Sequence, residues 1–101
     1  MERWHDLGSA DAFRGLKPRL VAVGDLRLCV GRSGDTFFAV DDLCPHADGS
    51  LAEGIVMKDQ IICPLHGYAF DVRTGTCPDD PRCDIQAYET RVEDGALQVR
   101  I

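Results

Sequence analysis

Cys44-Pro45-His46 and Cys63-Pro64-Leu65-His66, separated by the 16 residues from Ala47 to Ile62, decide what kind of chain this is. Each motif offers one thiolate and one imidazole from a single short loop. Each also carries a proline, whose fixed φ and missing N–H stiffen the loop. Soft thiolates with borderline imidazoles suit zinc or iron, whereas calcium and magnesium want oxygen ligands. A zinc site built from two cysteines and two histidines more usually pairs Cys with Cys on one element and His with His on another. Loops that mix the two suit a two-iron cluster, in which one iron takes both cysteines and the other both histidines, because two loops approaching from opposite sides then span both irons. Taken singly, Cys44 and Cys63 would read as buried thiols and His46 and His66 as surface loop histidines. Four at this spacing read as metal ligands.

Outward from these motifs, turn signals recur at short intervals: Gly24-Asp25, Ser33-Gly34-Asp35, Asp48-Gly49-Ser50, Lys58-Asp59, Thr74-Gly75 and Asp94-Gly95. Short strands between tight turns follow. Leu26, Leu28 and Val30 alternate with Arg27, Cys29 and Gly31, and Leu97, Val99 and Ile101 alternate with Gln98 and Arg100, so both sets predict half-buried antiparallel strands. Asp94-Gly95 predicts a two-residue type I′ turn and makes Thr90 to Ile101 a closing hairpin. The only helical stretch is Ala10 to Leu16, with Ser9 as N-cap and Gly15 interrupting it; one turn is the most it predicts. The middle, Cys44 to Asp71, differs from its flanks in holding both Cys-Pro pairs and two of the three histidines, and looks like a site inserted into a β scaffold.

The 101 residues amount to one domain, and a domain of that size buries roughly two-thirds of the surface its unfolded chain exposes. A formal net charge of −6, from 17 acidic against 11 basic residues, makes nucleic acid a poor partner, because phosphate binding relies on Lys and Arg. No stretch approaches the ~20 apolar residues of a membrane span, and Met1-Glu2-Arg3-Trp4-His5-Asp6 lacks the order of a signal peptide, so a soluble cytoplasmic protein without a membrane partner is expected. In that compartment the five cysteines are reduced, and ligation becomes the leading use for some of them. Cys29, Cys77 and Cys83 have no histidine near in sequence and read as structural thiols, while Trp4 and His5 read as N-terminal packing.

The C-x-H and C-x2-H motifs with this spacer, followed by Gly67, resemble the Rieske family, and the resemblance covers nearly the whole chain. It implies an all-β fold: one domain over residues 1–101, with an antiparallel β-sandwich base of about 1–43 and 72–101 and a cluster-binding subdomain of about 44–71. It further implies one 2Fe-2S cluster, with Cys44 and Cys63 on the buried iron and His46 and His66 on the outer iron near the surface. The extra cysteines that high-potential members carry in the ligand loops are replaced here by Gly49 and Leu65. The places of the hydroxyls that donate to sulfur hold Tyr68 and Phe70. Fewer donors to sulfur mean a lower potential. The chain thus resembles the low-potential soluble ferredoxins. The implied role is a monomeric electron carrier, not itself an enzyme, between an NAD(P)H-dependent flavoprotein reductase and a terminal oxygenase. The small subunit of an assimilatory NAD(P)H nitrite reductase is the alternative, resembled by the tail from Cys77-Pro78-Asp79-Asp80-Pro81-Arg82 to Gly95. A zinc-binding interaction module without redox role is the alternative of another class.

Overall fold

The computed structural model describes residues 3–15, 17–43, 49–64, 67–78 and 84–101. Among the described residues ten short strands follow one another: β1 Trp4–Ser9, β2 Arg19–Val23, β3 Leu26–Ser33, β4 Thr36–Asp41, β5 Ile55–Met57, β6 Gln60–Ile62, β7 Ala69–Asp71, β8 Ala87–Tyr88, β9 Thr90–Glu93 and β10 Ala96–Arg100. They form three antiparallel sheets, in the orders β1-β10-β9, β2-β3-β4-β8 and β5-β6-β7. The all-β expectation holds.

The turns foreseen at Gly24-Asp25, Ser33-Gly34-Asp35, Lys58-Asp59 and Asp94-Gly95 are tight connections between successive strands, whereas Thr74-Gly75 lies within the longer connection from β7 to β8 and Asp48 of Asp48-Gly49-Ser50 lies outside the described residues. Asp94 and Gly95 sit at φ 52° and 79°, the left-handed pair that a type I′ turn requires, and Glu93 faces Ala96 across it. Lys58 and Asp59 do the same work between β5 and β6 at φ 50° and 64° without a glycine. Asp59 is held there by accepting the Ser33 hydroxyl (2.6 Å) and, through its carbonyl, the Val72 N–H (3.0 Å). The helical stretch shrinks to a single 3-10 turn, Ala10–Phe13, with the Ser9 hydroxyl oxygen accepting the Asp11 N–H.

One expectation is corrected. β10 is half-buried as its alternation predicts, with Leu97 and Val99 inside, but β3 is buried on both faces. Leu28 and Val30 pack with Ala39, Phe13, Leu97 and Val99 in one core, between the first two sheets. Cys29 points the other way, into a second core with Phe38, Val40, Leu51, Ile61, Cys63, Phe70, Val72 and Cys77. The register explains the division: Cys29 faces Val40 and Gly31 faces Phe38 on one side of the sheet, while Val30 faces Ala39 on the other. Cysteine packs as a small apolar residue, so a strand that looked one-sided became the wall shared by two cores. Trp4 lies beneath the guanidinium of Arg91, 4.2 Å from the ring centre, in keeping with a packing role.

Candidate metal centre

The described segments that flank the two Cys-Pro motifs are fixed by backbone pairing. β6 and β7 pair through Ile61 with Phe70 and Ile62 with Ala69, and the next pair outward joins the Cys63 N–H to the Tyr68 carbonyl at 2.8 Å. Gly67, at φ +71°, turns the chain back so that its N–H reaches the Cys63 carbonyl at 2.9 Å. Cys63 therefore stands where the β6–β7 ladder ends, bonded through its backbone to Gly67 and Tyr68. Its thiol is unpaired by disulfide and fully buried in the core with Ile61, Leu51 and Phe70. A free, buried thiol at the end of a strand ladder suits a thiolate ligand.

The first loop is closed by an isolated bridge between Leu43 and Ser50, which brackets residues 44–49. Beyond it a second 3-10 turn, Leu51–Glu53, buries Leu51 and Ala52 in the same core as Cys63. Gly54 then runs so close to the Ile62 carbonyl that a Cβ would collide with that oxygen. The exit of the first loop is thus packed directly on the strand that enters the second. This brings the bases of the two motifs together.

Of the four expected ligands the structure describes Cys63; Cys44, His46 and His66 lie outside the described residues, as do Leu65 and Cys83. Among the described residues there is no cluster of three or more His, Cys, Asp and Glu gathered as a metal site. The described part fits an iron-sulfur group: Cys63 is a free, buried thiol without a disulfide, and the segments that follow the first motif and precede the second pack together on one apolar core. Phe70, fully buried in that core, offers no hydroxyl to a sulfur, and the Tyr68 ring packs against the core from its edge.

Cys29 and Cys77 are buried in the same core and free. Burial pushes the Cys29 thiol far up, and the charge of Asp42 pushes it further, which keeps it protonated and inert. The Cys77 N–H donates to the Asp84 carboxylate at 3.0 Å. Asp42 itself escaped sequence reasoning. Ser50-Leu51-Ala52-Glu53 has the S-x-x-E form of a capping box, yet Ser50 makes no side-chain cap; the N–H of Ala52 is satisfied instead by Asp42, ten residues upstream.

The family model described as the Rieske 2Fe-2S domain matches residues 3–89. The anthranilate 1,2-dioxygenase ferredoxin subunit of Burkholderia cepacia is 35% identical over 106 residues, covering 100% of this chain and 94% of that subunit. A chain in the solved complex of reduced oxygenase and oxidized ferredoxin in carbazole 1,9a-dioxygenase is 37% identical with a TM-score of 0.83, over 95% of this chain and 91% of that one. The crystal structure of a candidate NADH-dependent nitrite reductase small subunit from Mycobacterium tuberculosis is 25% identical with a TM-score of 0.91, over 100% of this chain and 96% of that one. Among the described residues no helix is long and apolar enough to cross a membrane.

Proposed function

The chain belongs to the Rieske family, with a Rieske-type 2Fe-2S cluster as its cofactor, and from that premise we propose that it is a cytoplasmic ferredoxin carrying single electrons from an NAD(P)H-dependent flavoprotein reductase to a terminal oxygenase. The observation that carries this reading is the match, over the full length of this chain and nearly that of its relative, to a subunit named as a ferredoxin. Cys44, His46, Cys63 and His66 hold the cluster, and residues 44–71 form its subdomain on a base made of about 1–43 and 72–101. The three-stranded sheet β5-β6-β7 lies wholly within that segment.

When bound, the cluster accepts and releases one electron. The chain's own residues do the rest. The buried Cys63 anchors the second loop from below, and the apolar core around Leu51, Ile61 and Phe70 keeps water from that side. With Gly49, Leu65 and Phe70 in place of disulfide and hydroxyl donors, the potential falls in the lower part of the roughly −150 to +300 mV that Rieske centres span. The carrier needs no catalytic apparatus of its own; oxygen or nitrite chemistry belongs to its partners.

The second reading, a nitrite reductase small subunit, is favoured by the close backbone match to a protein so described, TM-score 0.91 over the whole chain. Sequence identity runs the other way, 35% and 37% to the oxygenase-system relatives against 25%.

Anaerobically purified protein should contain iron and acid-labile sulfide near two each per chain by the cluster's stoichiometry, and replacing His46 or His66 should abolish the EPR signal of the reduced centre. Zinc without sulfide would overturn the ligand assignment. A chain that stays monomeric on gel filtration and reduces an oxygenase supports the free carrier, whereas a complex with a nitrite-reducing partner that survives gel filtration points to the subunit.

A further inference from the structure

Asp42 is the one charged side chain that is buried among the described residues, 5% exposed. All its polar groups are engaged, and three of the four bonds go to one short segment. Its carboxylate accepts the Ala52 N–H at 2.8 Å and the Ser50 hydroxyl at 2.7 Å, and its carbonyl accepts the Leu51 N–H at 2.7 Å. Its own N–H donates to the Arg27 carbonyl on β3 at 3.0 Å. Leu43 bridges to Ser50 immediately beyond. The residue two places before Cys44 therefore ties together the entry of loop 44–49, its exit and the central sheet.

We propose that Asp42 is a positioning residue for the cluster, clamping both ends of the first ligand loop so that Cys44 and His46 are presented in fixed relation to the Cys63 hairpin. The inference rests on the ligand assignment given under Proposed function. Its physical basis is preorganisation: a loop whose ends are already fixed loses less freedom when its ligands bind, and a detached ligand stays within reach of its iron. The relation to the second loop is transmitted by packing, since the turn that Asp42 caps buries Leu51 against the core of Cys63 and leads to Gly54 against the Ile62 carbonyl. Asparagine can keep both contacts, because its amide oxygen accepts from Ala52 and its amide nitrogen can donate to the Ser50 oxygen. Alanine keeps neither.

The test compares cluster loss with fold stability. Wild type, Asp42→Ala, Asp42→Asn and Leu97→Ala are reconstituted, and bleaching of the visible spectrum by an iron chelator is followed well below every Tm. Leu97 lies in the other core, so its truncation lowers Tm without touching the loop. Asp42→Ala is expected to lose its cluster about 10–100-fold faster than wild type, in the range found when groups supporting metal ligands are removed, with broadened EPR features. Asp42→Asn should recover most of the retention, and Leu97→Ala should bleach at the wild-type rate despite its lower Tm. Bleaching of Asp42→Ala at the wild-type rate, or no faster than Leu97→Ala, would overturn the clamp, as would failure of asparagine to rescue. If Asp42→Ala does not fold, Ser50→Ala, which removes one of the two side-chain contacts, should show a smaller acceleration, and its absence counts equally against the proposal. A wild-type chain without labile sulfide would overturn the ligand assignment itself, and this inference with it.

Discussion

Gly54 has φ −84°, a value any residue adopts, so what excludes a side chain there is space alone. A Cβ would strike the carbonyl oxygen of Ile62 and approach that of Leu51 to 3.1 Å, and both are backbone atoms locked into the 3-10 turn and the strand β6. Neither can swing aside as a flexible side chain would. Gly54→Ala should therefore destabilise the fold by about 2–3 kcal/mol, a fall in Tm of roughly 10–20 °C for a domain of this size. Gly15→Ala, at a position where a Cβ meets nothing within 4 Å, is the matched control and should leave Tm nearly unchanged. Thermal melts of equal scan rate decide it; equal melting of the two variants would mean that the first loop's exit is not packed on β6 as described.

At the scale of the element, β8 pairs with β4 through only two residue pairs, Ala39 with Tyr88 and Val40 with Ala87. Side-chain chemistry supplements this short ladder. Asp41 donates its N–H to the Gln86 carbonyl (2.9 Å), and its carboxylate accepts the Gln86 N–H (3.2 Å) and the Tyr88 hydroxyl (2.9 Å). Partial burial, then the hydrogen bond to Asp41 and its negative charge, push the Tyr88 phenol up to about 12 from an ordinary 10. The folded chain thus holds this proton more tightly than the unfolded one. The associated stability is complete below pH 10 and is lost as pH rises through about 12. Denaturant midpoints measured from pH 9 to 12 should fall more steeply for the wild type than for Tyr88→Phe, which has no proton to lose. Parallel slopes would show that the phenol does not report on β8 docking.

Across the whole molecule, the excess of acid over base gives a formal charge of −6. An electron carrier needs only a brief contact, and a small transient interface with weak affinity serves it. If a basic patch on the partner is what this charge meets, attraction shortens the search for that contact. Exposed charges are screened beyond about 10 Å at 0.1 M ionic strength. Under the carrier role proposed above, the second-order rate of reduction by a flavoprotein reductase should accordingly fall as salt is raised, as stopped-flow at low against high added salt would read. A rate indifferent to salt would remove charge steering from the account while leaving the carrier role intact.

What the sequence determined by itself is what depends on neighbours along the chain. Asp94-Gly95 set its own turn because positive φ at two successive residues is a local demand, and the spacing of Cys44, His46, Cys63 and His66 is likewise local and is what the ligand set proposed above rests on. The alternation of Leu97 and Val99 likewise told which face of β10 is inside. The tertiary structure alone decided what depends on register and on distant partners. Alternation around Cys29 could not reveal that β3 walls two cores, since a small thiol opposite a leucine face looks the same whether it meets water or Val40. Nor could Asp42 be told from its neighbour Asp41. One reaches forward to β8 and the other caps a turn ten residues on, and that division of labour exists only once β4 has ended, the chain has bent back at Leu43 and Ser50, and a buried carboxylate has found the donors that burial obliges it to satisfy.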